Sequence, residues 1–261
     1  PTLINCNFTR NYAESGGGIF SSESSPILIN CRFIDNLTAY RGGGMCNFGG
    51  NPILTNCTFS RNSAFRQDFG QDSVGGGMYN KNGNLVLTNC TFSENSAAFA
   101  GGGMLNEGCN TVLNMCEFVM NTALWYDGAV LIIDGQLIAK GCVFKKNYPG
   151  AVEDVDSSGP IFTDCTFSGN SSSTSGGAVR VFDATFNNCV FAGNRVLGNE
   201  STGGAVYSHI TATFNNCTFS NNWAESARAI YSEGTSYVNN CIFWGSEDQI
   251  RTNNVRQYNF V

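Results

Sequence analysis

Asn56-Cys57-Thr58-Phe59-Ser60-Arg61-Asn62, NCTFSRN, reads at first sight as a fragment of a metal or disulfide site, yet close copies of it recur along the whole chain. Its cysteine belongs to the series Cys6, Cys31, Cys57, Cys90, Cys116, Cys142, Cys165, Cys189, Cys217 and Cys241, with separations of 25, 26, 33, 26, 26, 23, 24, 28 and 24. Each is followed two residues later by phenylalanine, from Phe8 to Phe243, and nine of those ten are followed three residues on by asparagine, from Asn11 to Asn222. About a turn later stands a glycine signal: Gly42-Gly43-Gly44-Met45 and Gly75-Gly76-Gly77-Met78 in early copies, Gly176-Gly177-Ala178-Val179 and Gly203-Gly204-Ala205-Val206 in late ones. A period in the twenties is the mark of a solenoid or array.

Within each period three short apolar runs alternate at period two and are separated by turn residues, and no helical period survives. The first run follows the glycines, the second precedes the cysteine, and the third is C-x-F. Alternation places Leu28, Leu54, Leu87, Leu113, Phe162, Phe186 and Phe214 on one side of the second run, and the cysteines and phenylalanines on one side of the third. One unit cannot bury these side chains alone; stacked coils can, each residue type above its own kind. The expected fold is all-β, a right-handed parallel β-helix with three strands per coil. It forms a single domain over residues 1–261, with nine coils between Cys6 and Cys241 stacked at ~4.8 Å into a column about 43 Å long. Asn30, Asn56, Asn89, Asn188, Asn216 and Asn240 precede the cysteine at a sharp bend, where a residue tolerant of left-handed backbone is needed. That column is expected to face inward, which would make the sequons at Asn56, Asn89 and Asn216 inaccessible; Asn7, Asn36 and Asn199 also carry sequons. Long insertions are scarce, Ser63 to Val74 being the largest.

The paired signatures F-x-x-N and G-G-A-[VIL], as in Phe167 to Asn170 with Gly176 to Val179, resemble the repeats of polymorphic outer-membrane proteins. They are also similar to right-handed β-helix repeat proteins of bacterial and archaeal cell surfaces. The resemblance implies an extracellular or cell-surface location and a structural or adhesive role. Composition agrees with a turn-rich β-protein: 13% of residues are charged and 31 of 261 are glycine. A net charge of −6 with no basic cluster excludes the electrostatic footprint of a nucleic-acid binder. No apolar run is long enough for a membrane-spanning helix. Neither end of the chain reads as a cap, which leaves two expectations: a piece of a longer array, or a protomer stacking end to end into filaments.

Three sets of residues are candidates for chemistry. The stacked thiols are expected to be small buried apolar groups beside phenylalanine, because no histidine or second cysteine stands at a metal-ligand spacing. Cys46 and Cys109 lie off the column. Asp134, Asp156 and Asp183, four residues beyond the glycine signal in three successive coils, are the candidate ligands for Ca²⁺, the one cofactor considered; a solvated acidic turn is the competing reading. The outward face of the first strand is the candidate contact surface, with Phe20, Tyr79, Phe182, Tyr207 and Tyr231 as an exposed aromatic strip for a polysaccharide or protein partner. In polysaccharide lyases and hydrolases of this fold the corresponding face carries the active site, which makes Glu153, Asp154, Arg180, Tyr207 and His209 the candidate catalytic group. His209 is the only histidine, and the loops that would wall a cleft are nearly missing, so a passive surface is expected.

Overall fold

The computed structural model describes residues 1–66, 72–126, 128–156, 158–245 and 248–260, the last seven of these by backbone alone. The strands are parallel and stack coil on coil as a β-solenoid of about nine turns with three principal strands per coil, and the described residues hold no helix. One coil shows why. Met78–Lys81 lies between Met45–Phe48 and Met104–Glu107, with Met78 opposite Met45 and Met104. Leu85–Thr88 follows with Leu87 between Leu54 and Leu113, and Thr91–Ser93 with Phe92 between Phe59 and Phe118. Register therefore places like on like, as the sequence period predicts. Toward the end of the chain the first and second strands merge into longer ones, Val179–Asn187 and Val206–Asn215.

The turns of each coil use left-handed backbone, beginning after the first strand, where Asn82 has φ of 55° and Gly108 of 62°. Asn30, Asn56 and Asn89 bend the chain before the cysteine with φ of 53° to 54°. Arg61 and Glu94 do the same after the third strand, at 53° and 55°. The first glycine of the signal takes the last corner: at Gly42, with φ of 66°, a Cβ would sit 2.2 Å from the Met45 carbonyl oxygen, so only glycine fits without displacement. At the third glycine the constraint is close packing, since a Cβ on Gly44 would meet Gly77 O at 2.6 Å and Phe59 Cδ1 at 2.7 Å. Later coils admit that methyl as Ala129, Ala178 and Ala205, and there the following residue shrinks from methionine to valine, both positions being fully buried. The core volume is conserved by paired exchange.

The core consists of columns. Nine consecutive pairs from Phe8–Phe33 to Phe219–Phe243 stack with ring centroids 4.4 to 5.2 Å apart and planes within 10°. Phe162, Phe186 and Phe214 form a second stack, edge-on to the first. Between the third strand and the glycine corner lies a short fourth extended piece the sequence reading lacks, Ser63–Ala64 in one coil, paired with Leu37–Arg41 and Ser96–Ala97.

The asparagine column expected to face inward does not. Asn56, Asn89 and Asn216 are exposed, not inward, and their amides form a ladder on the surface, Asn89 Nδ2 donating to Asn56 Oδ1 at 2.8 Å. The inward column is the asparagine of F-x-x-N, from Asn36 to Asn222. Asn95 shows the pattern: its Oδ1 accepts from the backbone N–H and the side-chain amide of Asn62, both at 3.0 Å, while its Nδ2 donates to Phe59 O and to Asn121 Oδ1. Asn36 and Asn170 belong to this column and are 1% and 0% exposed, so the sequons that begin at them are the inaccessible ones. The reversal follows from hydrogen-bond demand. A left-handed corner leaves a polar side chain in water, whereas the interior corner buries backbone groups that need an amide to satisfy them.

Candidate functional site: the outward face of the first strand

Phe20, Cys46, Tyr79, Leu105, Leu131, Glu153, Arg180, Tyr207 and Tyr231 do form one outward column, each across from the next in register. The column is not one exposed strip. Phe20 is 55% exposed, but Tyr79 is 2% and Leu105 and Leu131 are 3%, because Val74, Phe99 and Ala100 pack over them in a cluster of their own. The covering residues stand just before the glycine corner in their coils. The corresponding residues of the later coils are Ser175, Thr202 and Ser226, bridged to one another and too small to reach across. Tyr207 and Tyr231 consequently remain at the surface.

That later part of the face brings most of the candidate residues together. Tyr207 and Tyr231 stack at 5.4 Å with planes 11° apart. His209 lies 4.8 Å from the Phe182 ring and edge-on to Tyr207 at 4.9 Å. Arg180 Nη1 is 3.2 Å from Glu153 Oε1, and the Glu153 side chain is nearly buried while Arg180 is part-exposed. The organising carboxylate is Glu233, which was not among the candidates. Its Oε1 accepts the Tyr207 hydroxyl, and its Oε2 lies 3.1 Å from His209 Nδ1. The hydrogen bond from Tyr207, then that from His209, holds the Glu233 carboxyl below the usual carboxylate value. Burial first, then the hydrogen bond to Glu233, raises the Tyr207 phenol well above its ordinary value. The signal for Glu233 was present: it occupies the position three beyond the glycine signal, as Phe182 and His209 do, one coil further on. Asp154 sits one residue from Glu153 on the opposite, inward side, 2% exposed, and takes no part in this surface.

The three aspartates do not converge. Asp134 and Asp156 occupy stacked left-handed turn positions with φ of 50° and 54°, where Asp134 N–H donates to Val155 O. Asp183 lies within a continuous strand opposite Thr211, with its Cβ against Gly159. The merged strand shifts register between Val181 and Asp183 and carries the third carboxylate past the turn. Among the described residues, no group of three or more His, Cys, Asp or Glu side chains is placed to hold a metal ion.

All twelve cysteines are free thiols, eleven of them buried and Cys6 half-buried. The stacked thiol of the preceding coil and burial push Cys142 and Cys165 up to about 12, against the opposing pull of the thiol that follows. Such thiols stay protonated and are poor nucleophiles and metal ligands. Cys46 lies in the outward column beneath Val74, and Cys109 in a turn with its sulfur 3.4 Å from Gly83 N, so the two occupy different columns.

Residues 1–114 match the family model of the right-handed β-helix region. Residues 164–181, which include Phe167 to Asn170 and Gly176 to Val179, match the Chlamydia polymorphic membrane protein repeat. No curated protein and no solved structure matches the chain. Among the described residues no helix is long and apolar enough to cross a membrane. With the coil geometry, the two matches bear out the resemblance read from the repeats, and they suggest a surface-exposed β-solenoid.

Proposed function

We propose that this solenoid is a non-enzymatic scaffold of the cell surface or extracellular space, and that it makes adhesive contact through the later part of its first-strand face. One observation carries the reading: Tyr207 and Tyr231 stack at the surface beside Phe182 and His209, with the exposed Glu233 holding Tyr207 and His209 in place. Aromatic and basic residues held rigid at a surface lose little freedom when a partner docks, the property shared by binding hot spots. The strand and the Glu233 hydrogen bonds fix this platform before any partner arrives.

The rigidity of the site favours binding over catalysis. The Glu233 carboxylate already holds both Tyr207 and His209, and Arg180 is held by Glu153. A polysaccharide is the partner class proposed for this face, because Tyr207 and Tyr231 present their ring edges in a row at the spacing of successive coils, beside the rings of Phe182 and His209. Isothermal titration against a panel of soluble polysaccharides, uronic-acid polymers included, and against extracellular-matrix proteins tests this. Tyr207→Ala with Tyr231→Ala is expected to weaken the bound partner at least tenfold without changing the fold. Turnover of any polysaccharide in lyase or glycosidase assays would replace the adhesive reading with the enzymatic one.

A further inference from the structure

A second surface lies on the same strand column several coils earlier, where the pattern of the corners breaks, and nothing in the reading above depends on it. There the covering residues leave a cleft of about 140 Å³ over Leu105 and Leu131, walled by Val74, Phe99, Ala100 and Ile133. Its mouth carries Arg41, Asp72, Tyr79 and Glu107. Among the described residues the mouth is charged but neutral in sum, because its ions are paired with one another. Arg41 pairs with Asp72, and Glu107 accepts from Lys81 Nζ and from the Tyr79 hydroxyl, each at 2.6 Å. Beside the cleft rises an apolar ridge, with Leu124 60%, Trp125 69% and Tyr126 41% exposed. The ridge is fixed to the wall: the backbone N–H groups of Trp125 and Tyr126 both donate to Phe99 O at 3.2 Å, and the Tyr126 ring meets that of Phe99 edge-on at 5.3 Å.

We infer that this cleft and ridge form a docking site for a protein partner that inserts one uncharged, branched aliphatic side chain such as leucine. Charge complementarity and shape select that occupant. A sugar ring carries hydroxyls around its rim, and in a cleft of this size they would be buried against Leu105 and Leu131 without partners. An anionic ligand or an anionic lipid surface needs unpaired cations, and the two cations are matched by two carboxylates. A flat bilayer cannot reach Leu105 and Leu131 at the bottom of a concavity. What remains is a projecting apolar group small enough for the cleft, with the partner's surrounding surface resting on Trp125. An apolar pocket inside a polar rim, next to an exposed tryptophan, is the anatomy of a hot spot in protein recognition.

The test is an NMR titration of the whole chain, labelled in methyl groups and tryptophan indoles. The probe is N-acetyl-leucinamide, compared with N-acetyl-glycinamide and with zwitterionic phosphatidylcholine vesicles. Saturable shifts confined to the methyls of Val74, Leu105 and Leu131 and to the Trp125 indole, with glycinamide silent, are the expected result. Phe99→Ser should weaken the leucinamide affinity at least fivefold. Should that variant not fold, Trp125→Ser on the exposed ridge serves the same purpose and should lower affinity about threefold, while Trp223→Ser, an exposed tryptophan elsewhere, leaves it unchanged. The inference is overturned by absent or unsaturable shifts, by equal shifts with glycinamide, or by equal losses in Trp125→Ser and Trp223→Ser. It is overturned equally by vesicles that displace the probe, or by concentration-dependent shifts without it, which would assign the surface to lipid or to a second copy of the chain.

Discussion

Two asparagines six residues apart, Asn56 and Asn62, differ in what the surrounding backbone asks of them. Asn62 is buried, accepts twice from Asn36, and donates to Phe33 O and Asn95 Oδ1. Removing such an amide leaves carbonyl and N–H groups of two neighbouring coils unpaired in a dry interior, where each costs about 1–3 kcal/mol. Asn95→Ala should therefore lower stability by about 3–4 kcal/mol in urea unfolding. Asn56→Ala loses two exposed side-chain hydrogen bonds, one to Asn30 and one from Asn89, and places alanine in left-handed backbone, a cost of about 1–2 kcal/mol. The sequence shows both columns equally well and does not show which faces in, because an alternating pattern fixes the sides of a strand and not the direction of a corner side chain. Glu107 gives a pH-dependent case. Burial pushes its carboxyl up, but hydrogen bonds from Lys81 and Tyr79 outweigh that and leave its pKa below the ordinary 4.5. The ionised form is thus favoured by folding, so its contribution is present above pH 4.5 and is lost as pH falls through the lower folded value. Glu107→Gln should cost about 0.5–1 kcal/mol at pH 7, and the gap to the wild type should close on acidification below 4.5.

At the level of the strand, what stabilises a coil is the contact of each buried ring with the two above and below it. Phe118 stacks on Phe92 at 4.9 Å and on Phe144 at 5.2 Å and is fully buried. Phe118→Ala opens a cavity between two coils that the backbone ladders prevent from closing, for a loss of about 4 kcal/mol. The cysteine column makes a complementary prediction. With eleven thiols buried and Cys6 half-buried, a thiol-specific reagent such as Ellman's should label about one cysteine in the native protein and all twelve in urea. The three main strands were legible from the residues, since C-x-F and the Leu or Phe before it alternate cleanly and repeat. The short piece typified by Ser63–Ala64 was not, because two residues between a corner asparagine and a glycine carry no alternation to detect. Nor was the cover over Tyr79. That depends on whether the residue before the glycine corner is apolar, as in Val74 and Ala100, or small and polar, as in Ser175 and Thr202, a contrast that only a known coil path makes meaningful. Glu233 joins the site for the same reason: its column position was readable, but its approach to Tyr207 and His209 depends on side-chain reach between coils.

Among the described residues, strand pairing runs only between successive coils, as the register of each strand with its neighbours shows. A solenoid of this kind has stability that is close to a sum of coils and interfaces, with no long-range closure to satisfy. The two candidate surfaces therefore sit on coils that do not touch: the cleft rests on Leu105 and Leu131, the platform on Tyr207 and Tyr231. Deletion of residues 91–116, one full period from Cys90 to Cys116, tests the separation. The cut joins Cys90 to Glu117, keeps C-x-F intact, and brings the Phe59 coil directly under the Phe118 coil, so the phenylalanine stack and the buried asparagine column both continue across the junction. Circular dichroism should show an unchanged β-spectrum and a single unfolding transition, shifted down by a few degrees. Because the period carries Phe99, Ala100, Leu105 and Glu107, leucinamide binding at the cleft should vanish, while any polysaccharide bound at Tyr207 and Tyr231 keeps its affinity within twofold. Loss of the second activity along with the first would mean that the coils communicate over several repeats, and the additive picture of this solenoid would then be wrong.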